Sequence, residues 1–193
     1  MTSKDTGPGN AGSGKLLSTR DIALIAQCVS LMVICSWISI PAAVPFTLQT
    51  FAVFLSTGLL GGRRGTVAVL IYLLLGAIGI PVFSGLTGGI GHMLGPTGGY
   101  IIGFVFSALV MWLIERLCGR SIKTVVFSMI AGLITCYAFG TAWFMFVASS
   151  KPGLAAALSL CVVPYILPDL CKIALAQVLT MILRDRLRAE HLL

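Results

Sequence analysis

Hydrophobic residues run along most of this chain in stretches that no charged residue interrupts. Residues 22–62, 65–114 and 124–150 contain no Asp, Glu, Lys or Arg. Each stretch reaches the roughly 20 residues that a helix needs to cross a bilayer, and the first two are long enough to cross twice. The pattern predicts an all-α membrane protein, a bundle of six transmembrane helices.

Proline and glycine divide these stretches into individual helices. Pro41 and Pro45 predict an extended loop after the first helix, and residues 61–65 predict a tight charged turn. Residues 81–99 hold many glycines among apolar residues and no charge, so we expect a loop that packs onto the bundle. The predicted spans are residues 22–40, 47–60, 66–80, 100–117, 124–147 and 168–183, the last with Pro168 in its first turn.

Small residues recur at a spacing of four in the fourth and fifth spans. They are Gly99, Gly103 and Ser107 in the fourth, and Ser128, Gly132, Cys136 and Gly140 in the fifth. In a bilayer such stripes let helix backbones approach closely. The spacing therefore predicts that both helices use these faces for packing.

Composition supports a membrane protein and distinguishes residues 1–18 from the rest of the chain. The chain is 58% hydrophobic and 10% charged, whereas soluble domains are about 25% charged. Residues 1–18 are rich in Gly, Ser, Thr and Lys, which predicts a disordered cytoplasmic tail before a six-helix domain at residues 19–193. Residues 9–15 match part of a phosphate-binding loop, but Leu16 replaces the magnesium-binding Ser or Thr and no strand precedes it, so we predict no nucleotide site.

The distribution of Lys and Arg predicts the orientation, because positively charged short loops stay in the cytoplasm. In a six-span arrangement, Lys151 is the only one of the counted loop Lys and Arg residues on the outer side. The other side carries Lys15, Arg20, Arg63, Arg64, Arg116, Arg120, Lys123, Arg184, Arg186 and Arg188. Both termini are therefore predicted to be cytoplasmic. The net charge of +7 is dispersed over helix ends and forms no stripe, which argues against nucleic acid as a partner.

Two charged residues stand out because they lie in an otherwise uncharged stretch. Asp169 and Lys172 are the only charges between residues 152 and 183, and their spacing puts them on one helix face. Ionisable residues in membrane segments are costly and indicate a functional site by default. A structural ion pair at the helix end is the alternative interpretation.

The six-span arrangement places Asp169 and Lys172 at the outer end of the bundle, opposite the cytoplasmic termini. Neutral polar groups are predicted at this same end, which favours a small-molecule site over a purely structural pair. They are Thr47, Gln49, Ser84 and Tyr100, with Trp37, Phe46 and Phe83 as possible apolar walls. Neither His92 nor His191 has a metal-ligand neighbour at a recognised spacing, and the six cysteines form no CxxC pair. We therefore predict no cofactor and no catalytic residue.

Four ordered motifs resemble the BioY family, the biotin-binding substrate (S) components of energy-coupling factor (ECF) transporters. The motifs are VPFTLQTF at residues 44–51, YLLLGAIGIPVFSG at 72–85, GPTGGY at 95–100 and PDLCK at 168–172. The resemblance implies a six-helix fold with a biotin site near the outer face, closed by the first and third loops. It also implies a biotin site at Gln49, Tyr100, Asp169 and Lys172, with Gly89 as a backbone contact.

The same resemblance implies partners and a location. These are a transmembrane coupling (T) subunit, two cytoplasmic ATPase subunits and membrane lipid, in a prokaryotic cytoplasmic membrane. Two alternatives remain at this point: an S component for another vitamin, and an intramembrane enzyme that uses Asp169 and Lys172 as acid and base.

Overall fold

The computed structural model describes residues 18–42, 44–148 and 153–189. Within these residues eight α-helices follow one another, with a two-stranded hairpin after the first and a short 3-10 turn, Ser84–Leu86, after the third. The helices are α1 Thr19–Trp37, α2 Gln49–Leu60, α3 Gly62–Ala77, α4 Ile90–Met93, α5 Gly98–Cys118, α6 Ile122–Val147, α7 Leu154–Cys161 and α8 Val163–Ala189. The prediction of a disordered tail falls on residues 1–17, outside the described residues, and on Ser18, whose N–H donates to the Asp21 carboxylate at the start of α1.

Four helices, α1, α5, α6 and α8, are long and apolar enough to cross a membrane. They confirm the first, fourth, fifth and sixth predicted spans as long apolar helices in a mostly helical protein. The helices α2 and α3 have 12 and 16 residues, fewer than the roughly 20 needed for a full crossing. That α2 and α3 also cross the bilayer stays a prediction.

Two predicted helix starts are wrong. The third helix begins at Gly62, because only Gly61, with a φ of 87°, breaks the chain between α2 and α3. Arg63 and Arg64 therefore lie in the first turn of α3. The last helix begins at Val163 and contains Pro168 in its interior. Pro164 occupies the first turn, where a missing N–H costs nothing. The proline that marks the start of this helix is therefore Pro164 and not Pro168.

Close packing of α5 against α6 forms one side of the bundle, as the small-residue stripes predict. A Cβ atom added to Gly99 would lie 2.2 Å from Cβ of Trp143, and one added to Gly140 would lie 2.2 Å from the ring of Tyr100. Gly103 likewise faces Cys136. These glycines let the two backbones approach closely and fix the position of the Tyr100 ring.

The predicted loop at residues 41–49 is a short antiparallel hairpin that lies across one end of the bundle. Its strands are β1, Ser39–Ile40, and β2, Phe46–Thr47, with Ser39 opposite Thr47. The glycine-rich loop reaches the same end, since Ser36 of α1 donates to the carbonyl of Val82 at 2.6 Å. The hairpin, the glycine-rich loop and the start of α8 meet at this end, as the sequence predicts.

Candidate functional site

A cavity of about 70 Å³ lies beneath the hairpin, between α8, α2, α5 and α6. This volume is several times the roughly 10–15 Å³ that one water molecule needs. Most of the wall is apolar or aromatic, and a few polar groups converge on it. The lining residues are Val44, Pro45, Thr47, Gln49, Thr50, Ser84, Thr97, Tyr100, Ile101, Phe104, Cys136, Tyr137, Cys161, Tyr165, Asp169 and Lys172.

Asp169 and Lys172 form a buried ion pair in the wall of this cavity. Nζ of Lys172 lies 2.7 Å from Oδ1 of Asp169, and the two residues are 3% and 7% exposed. They lie one helical turn apart on the inner face of α8, the face that packs on α2 and α6. Burying two charges costs free energy that only good geometry and further hydrogen bonds recover.

Two hydroxyl groups complete the surroundings of the Asp169 carboxylate. Oγ1 of Thr50 donates to Oδ1 at 3.1 Å, and the hydroxyl of Tyr137 donates to Oδ2 at 2.5 Å. The carboxylate thus accepts from α2, α6 and α8 at once. With about four acceptor positions on an ionised carboxylate, about one remains for a ligand.

The ammonium group of Lys172 joins α8 to the hairpin. Besides Asp169, it donates to the carbonyl of Thr47 at 2.7 Å and to Oγ1 of Thr50 at 3.2 Å. All three of its N–H groups therefore have acceptors. The same nitrogen lies 4.1 Å from the centre of the Phe46 ring, a distance at which the face of an aromatic ring attracts a cation.

Tyr165 provides a second link between α8 and the hairpin. Its hydroxyl donates to the carbonyl of Val44, and its ring stacks on Phe46 with the ring centroids 6.2 Å apart. The hairpin therefore lies over the cavity and is tied to α8 through two residues, Lys172 and Tyr165.

Gln49 enters the cavity from the first turn of α2, and a buried chain of hydrogen bonds fixes its amide. Nε2 of Gln49 donates to the hydroxyl of Tyr72 at 2.8 Å, and that hydroxyl donates to the carbonyl of Val82 at 2.8 Å. Since the single Tyr72 proton is used on Val82, Tyr72 accepts from Gln49 and the amide nitrogen is assigned. Oε1 of Gln49 accepts no hydrogen bond from the residues that the structure describes, so it can accept one from a ligand.

Tyr100 and Ser84 line the cavity from α5 and from the glycine-rich loop. The hydroxyl of Tyr100 lies 3.0 Å from Oγ1 of Thr141 on α6, and its ring rests against Gly140. Ser84 comes from the 3-10 turn in the glycine-rich loop. The structure thus brings together six of the ten residues that the sequence indicates, namely Thr47, Gln49, Ser84, Tyr100, Asp169 and Lys172. Trp37 and Phe46, expected as apolar walls, do not line the cavity.

Phe83 and Gly89 do not reach the cavity. The Phe83 ring is fully buried, edge-on to Tyr72 at 5.7 Å and stacked on His92 at 5.6 Å, so it belongs to the core beneath the glycine-rich loop. The N–H of Gly89, where a backbone contact was expected, donates to the carbonyl of Gly76 at 2.7 Å. Their contact with a ligand stays a prediction.

Sequence reasoning missed four polar residues of the wall: Thr50, Thr97, Tyr137 and Tyr165. Thr50 directly follows Gln49, and Tyr137 is the only tyrosine in the uncharged stretch 124–150. Both residues are visible in the sequence, but neither position shows that the side chain faces the Asp169 carboxylate. Tyr165 lies before Pro168, where the helix was not expected to extend. Across residues 18–42, 44–148 and 153–189, no group of three or more His, Cys, Asp or Glu side chains could hold a metal ion.

The fold and the cavity define a class: a multi-pass helical membrane protein with a small-molecule site at one end of the bundle. A model of the BioY family matches residues 9–189, nearly all of the chain. The chain belongs to the BioY family, and the resemblance seen in its motifs is confirmed.

Individual relatives agree with this assignment. The "Probable biotin transporter BioY" of Pyrococcus horikoshii is 39% identical over 164 residues, which cover 84% of this chain and 95% of that protein. The "Biotin transporter BioY" of Thermotoga maritima is 41% identical over 156 residues, 80% of this chain and 90% of that protein. A crystal structure described as the S-component for biotin from an ECF-type ABC transporter superposes with a TM-score of 0.77 at 28% identity, over 86% of this chain and 91% of that one.

Proposed function

We propose that this chain captures biotin as the S component of an ECF-type transporter in a prokaryotic cytoplasmic membrane. The observation that carries the proposal is the hairpin-covered cavity with a buried ion pair in its wall. Buried ionisable groups in membrane proteins mark ligand and ion sites, and a mostly apolar pocket with a few convergent polar groups is the usual form of a small-molecule site. The relatives are named as transporters, and we propose no catalytic step.

The groups around the cavity match the chemistry of biotin. Its ureido ring presents two N–H donors and one carbonyl, its thioether ring is apolar, and its side chain ends in a carboxylate. Oε1 of Gln49 and the remaining acceptor position of Asp169 suit N–H donors, and the tyrosine hydroxyls can donate to a carbonyl. Lys172 can donate to an anionic ligand in exchange for one of its present acceptors, such as the Thr47 carbonyl. Aromatic rings offer flat apolar surface.

Biotin entry requires the hairpin to move. The cavity of about 70 Å³ is well below the roughly 300–1,000 Å³ of sites that bury small ligands. The helices around it are tightly packed, whereas the hairpin is held to α8 by a few side-chain contacts. We therefore propose that the hairpin opens for biotin and that Lys172 and Tyr165 hold it closed.

The role of Tyr165 can be tested by the rate at which biotin leaves. In Tyr165→Phe the ring stays on Phe46 but the hydrogen bond to the Val44 carbonyl is lost. Losing one neutral hydrogen bond costs about 0.5–1.5 kcal/mol, so dissociation should become about two- to twelvefold faster. The measurement is release of radiolabelled biotin after dilution into unlabelled ligand.

Ser159→Ala is a matched control for that experiment. It also removes a hydroxyl that donates to a backbone carbonyl, that of Ala156, but on an exposed part of α7 outside the cavity. Its release rate should equal that of the wild type. An unchanged rate in Tyr165→Phe would show that the hairpin does not retain the ligand.

We further propose six crossings with both termini in the cytoplasm, where a T subunit and two ATPases would drive transport. The imbalance of Lys and Arg supports this orientation. Gly91, which has open space around its Cα, and the exposed Arg63 lie at opposite ends of the bundle. Single cysteines placed there in a cysteine-free background should react with an impermeant thiol reagent from opposite sides.

Intact cells should label the cysteine at Gly91, and only opened cells should label the cysteine at Arg63. Labelling of both from the same side would refute the six-span arrangement. The reverse pattern would refute the orientation and leave the number of crossings intact.

Ligand identity is tested by equilibrium binding to the purified chain with biotin and a panel of other vitamins. We expect stoichiometric binding of unmodified biotin and no competition from the other vitamins. Preferential binding of another vitamin would assign a different cargo, and chemical conversion of the ligand would refute a receptor role.

A further inference from the structure

A second concave site lies at the end of the bundle opposite the cavity. Here the α2–α3 junction meets the last turns of α5 and forms an open groove of about 480 Å³. Arg63, Arg64, Trp112, Glu115, Arg116 and Arg120 are among the residues that line it. We call it the basic groove.

Two of the four arginines of the basic groove have ionic partners and two do not. Arg64 lies 3.0 Å from Asp21, and Arg120 lies 3.4 Å from Glu115. The side chains of Arg63 and Arg116 are exposed and make no ion pair or hydrogen bond with any residue that the structure describes. The basic groove therefore has two positive charges in excess, which suits an anionic ligand.

An apolar groove of about 420 Å³ begins on the same helix, between α5 and α6. Its wall has almost no polar surface, and Phe106, Leu109, Leu113, Ala138 and Phe139 contribute to it. The rings of Phe106 and Phe139 contact each other with centroids 4.7 Å apart. We call it the α5–α6 groove.

The two grooves are joined along one stripe of α5. Leu109, Leu113 and Arg116 follow one another at intervals of four and three residues, so they lie on one helix face. Leu113 lines the α5–α6 groove and Arg116 lines the basic groove. From Phe106 to Arg116 the helix rises by about 15 Å, which equals half of the roughly 30 Å hydrocarbon thickness and thus one leaflet.

We propose that the two grooves together bind one anionic phospholipid. Arg63 and Arg116 bind its phosphate, and one acyl chain lies in the α5–α6 groove. Trp112 is half-buried and lines the basic groove together with Arg63 and Arg116, and indole rings are enriched at membrane–water interfaces. Basic pockets beside transmembrane helices recognise anionic headgroups in this way. The proposal is independent of biotin binding.

The test compares lipids retained by the purified chain. Delipidated protein is mixed with equal amounts of dioleoyl phosphatidylglycerol and dioleoyl phosphatidylcholine in detergent, and native mass spectrometry counts the bound molecules. We expect the wild type to retain phosphatidylglycerol preferentially. Arg63→Gln and Arg116→Gln should each reduce that preference roughly fivefold, as expected for one basic residue near an anionic surface.

Two further variants serve as controls. Lys123→Gln removes an exposed positive charge at the start of α6, outside both grooves, and should leave the preference unchanged. Ala138→Phe fills the α5–α6 groove at an exposed position, and should reduce retention of phosphatidylglycerol while both arginines remain. Circular dichroism of each variant confirms that it is folded.

Four results would overturn the proposal. Equal retention of the two lipids by the wild type would show no anionic preference, and normal retention in both arginine variants would place the lipid elsewhere. Displacement by glycerol phosphate as efficient as by phosphatidylglycerol would indicate a site for free phosphate. Arginine variants that keep the lipid preference but fail to associate with partner subunits would make the groove a protein interface.

Discussion

Asp169→Asn and Lys172→Ala are each expected to weaken biotin binding at least roughly thirtyfold. Each substitution leaves the other member of a buried pair without its partner, which commonly costs about 2–5 kcal/mol. Lys172→Ala also removes one of the two links between α8 and the hairpin, because the ammonium group donates to the carbonyl of Thr47. Isothermal titration of biotin into each purified variant measures the effect.

The double variant separates a coupled pair from two independent residues. Once one partner is gone, removal of the second no longer leaves a buried charge unpaired, so the combined loss should be smaller than the sum. Asp21→Asn is the control, because Asp21 also forms an ion pair, with Arg64, but at the opposite end of the bundle. Its affinity for biotin should match the wild type.

Melting temperatures of the same samples decide whether the pair acts on the ligand or only on the fold. If Asp169 and Lys172 merely anchor α8, both variants should melt earlier while the folded fraction binds biotin with normal affinity. That outcome would remove the ion pair from the proposed site.

Gly140→Ala is expected to weaken biotin binding strongly although Gly140 does not line the cavity. The added methyl group would lie 2.2 Å from a carbon of the Tyr100 ring, so the ring has to move away from α6 and into the cavity. Overpacking of this kind typically costs about 1–3 kcal/mol. We expect a lower melting temperature and at least a roughly tenfold loss of affinity.

Gly91→Ala provides the matched comparison for Gly140→Ala, since it makes the same chemical change. A Cβ atom added to Gly91 has nothing within 4 Å, and both stability and affinity should stay at wild-type values. If Gly140→Ala also bound biotin normally, the Tyr100 ring would not need its observed position and Tyr100 would leave the proposed site.

The long apolar helices could be predicted from the sequence because charged residues are confined to their ends, apart from Asp169 and Lys172 in α8. The prediction was weaker for α2 and α3, where length alone does not decide between a crossing and a shorter buried helix. It failed at Pro168, since proline at a helix start and proline inside a helix give the same local signal. The structure resolves this case because Pro164 already occupies the first turn.

The sequence predicts the charged residues of the site, but it does not show which other side chains face the cavity. Asp169 and Lys172 were found because an isolated charge in an apolar segment is rare. Tyr137 was missed because a tyrosine in a span gives no sign of whether it faces lipid or a carboxylate. Phe83 was expected at the cavity and lies in the core, because only the three-dimensional path of the glycine-rich loop shows which side of it faces inward.

The contacts that complete the cavity join segments that are synthesised early with a helix, α8, that is synthesised last. Thr50 donates to Asp169 across 119 residues, and Lys172 donates to Thr47 across 125 residues. During synthesis, which proceeds at about 5–20 residues per second, the hairpin and α2 are in place well before α8 emerges. A chain that stops before α8 contains Gln49 and Tyr100 but neither member of the ion pair, so binding competence arises only when the last helix has been inserted.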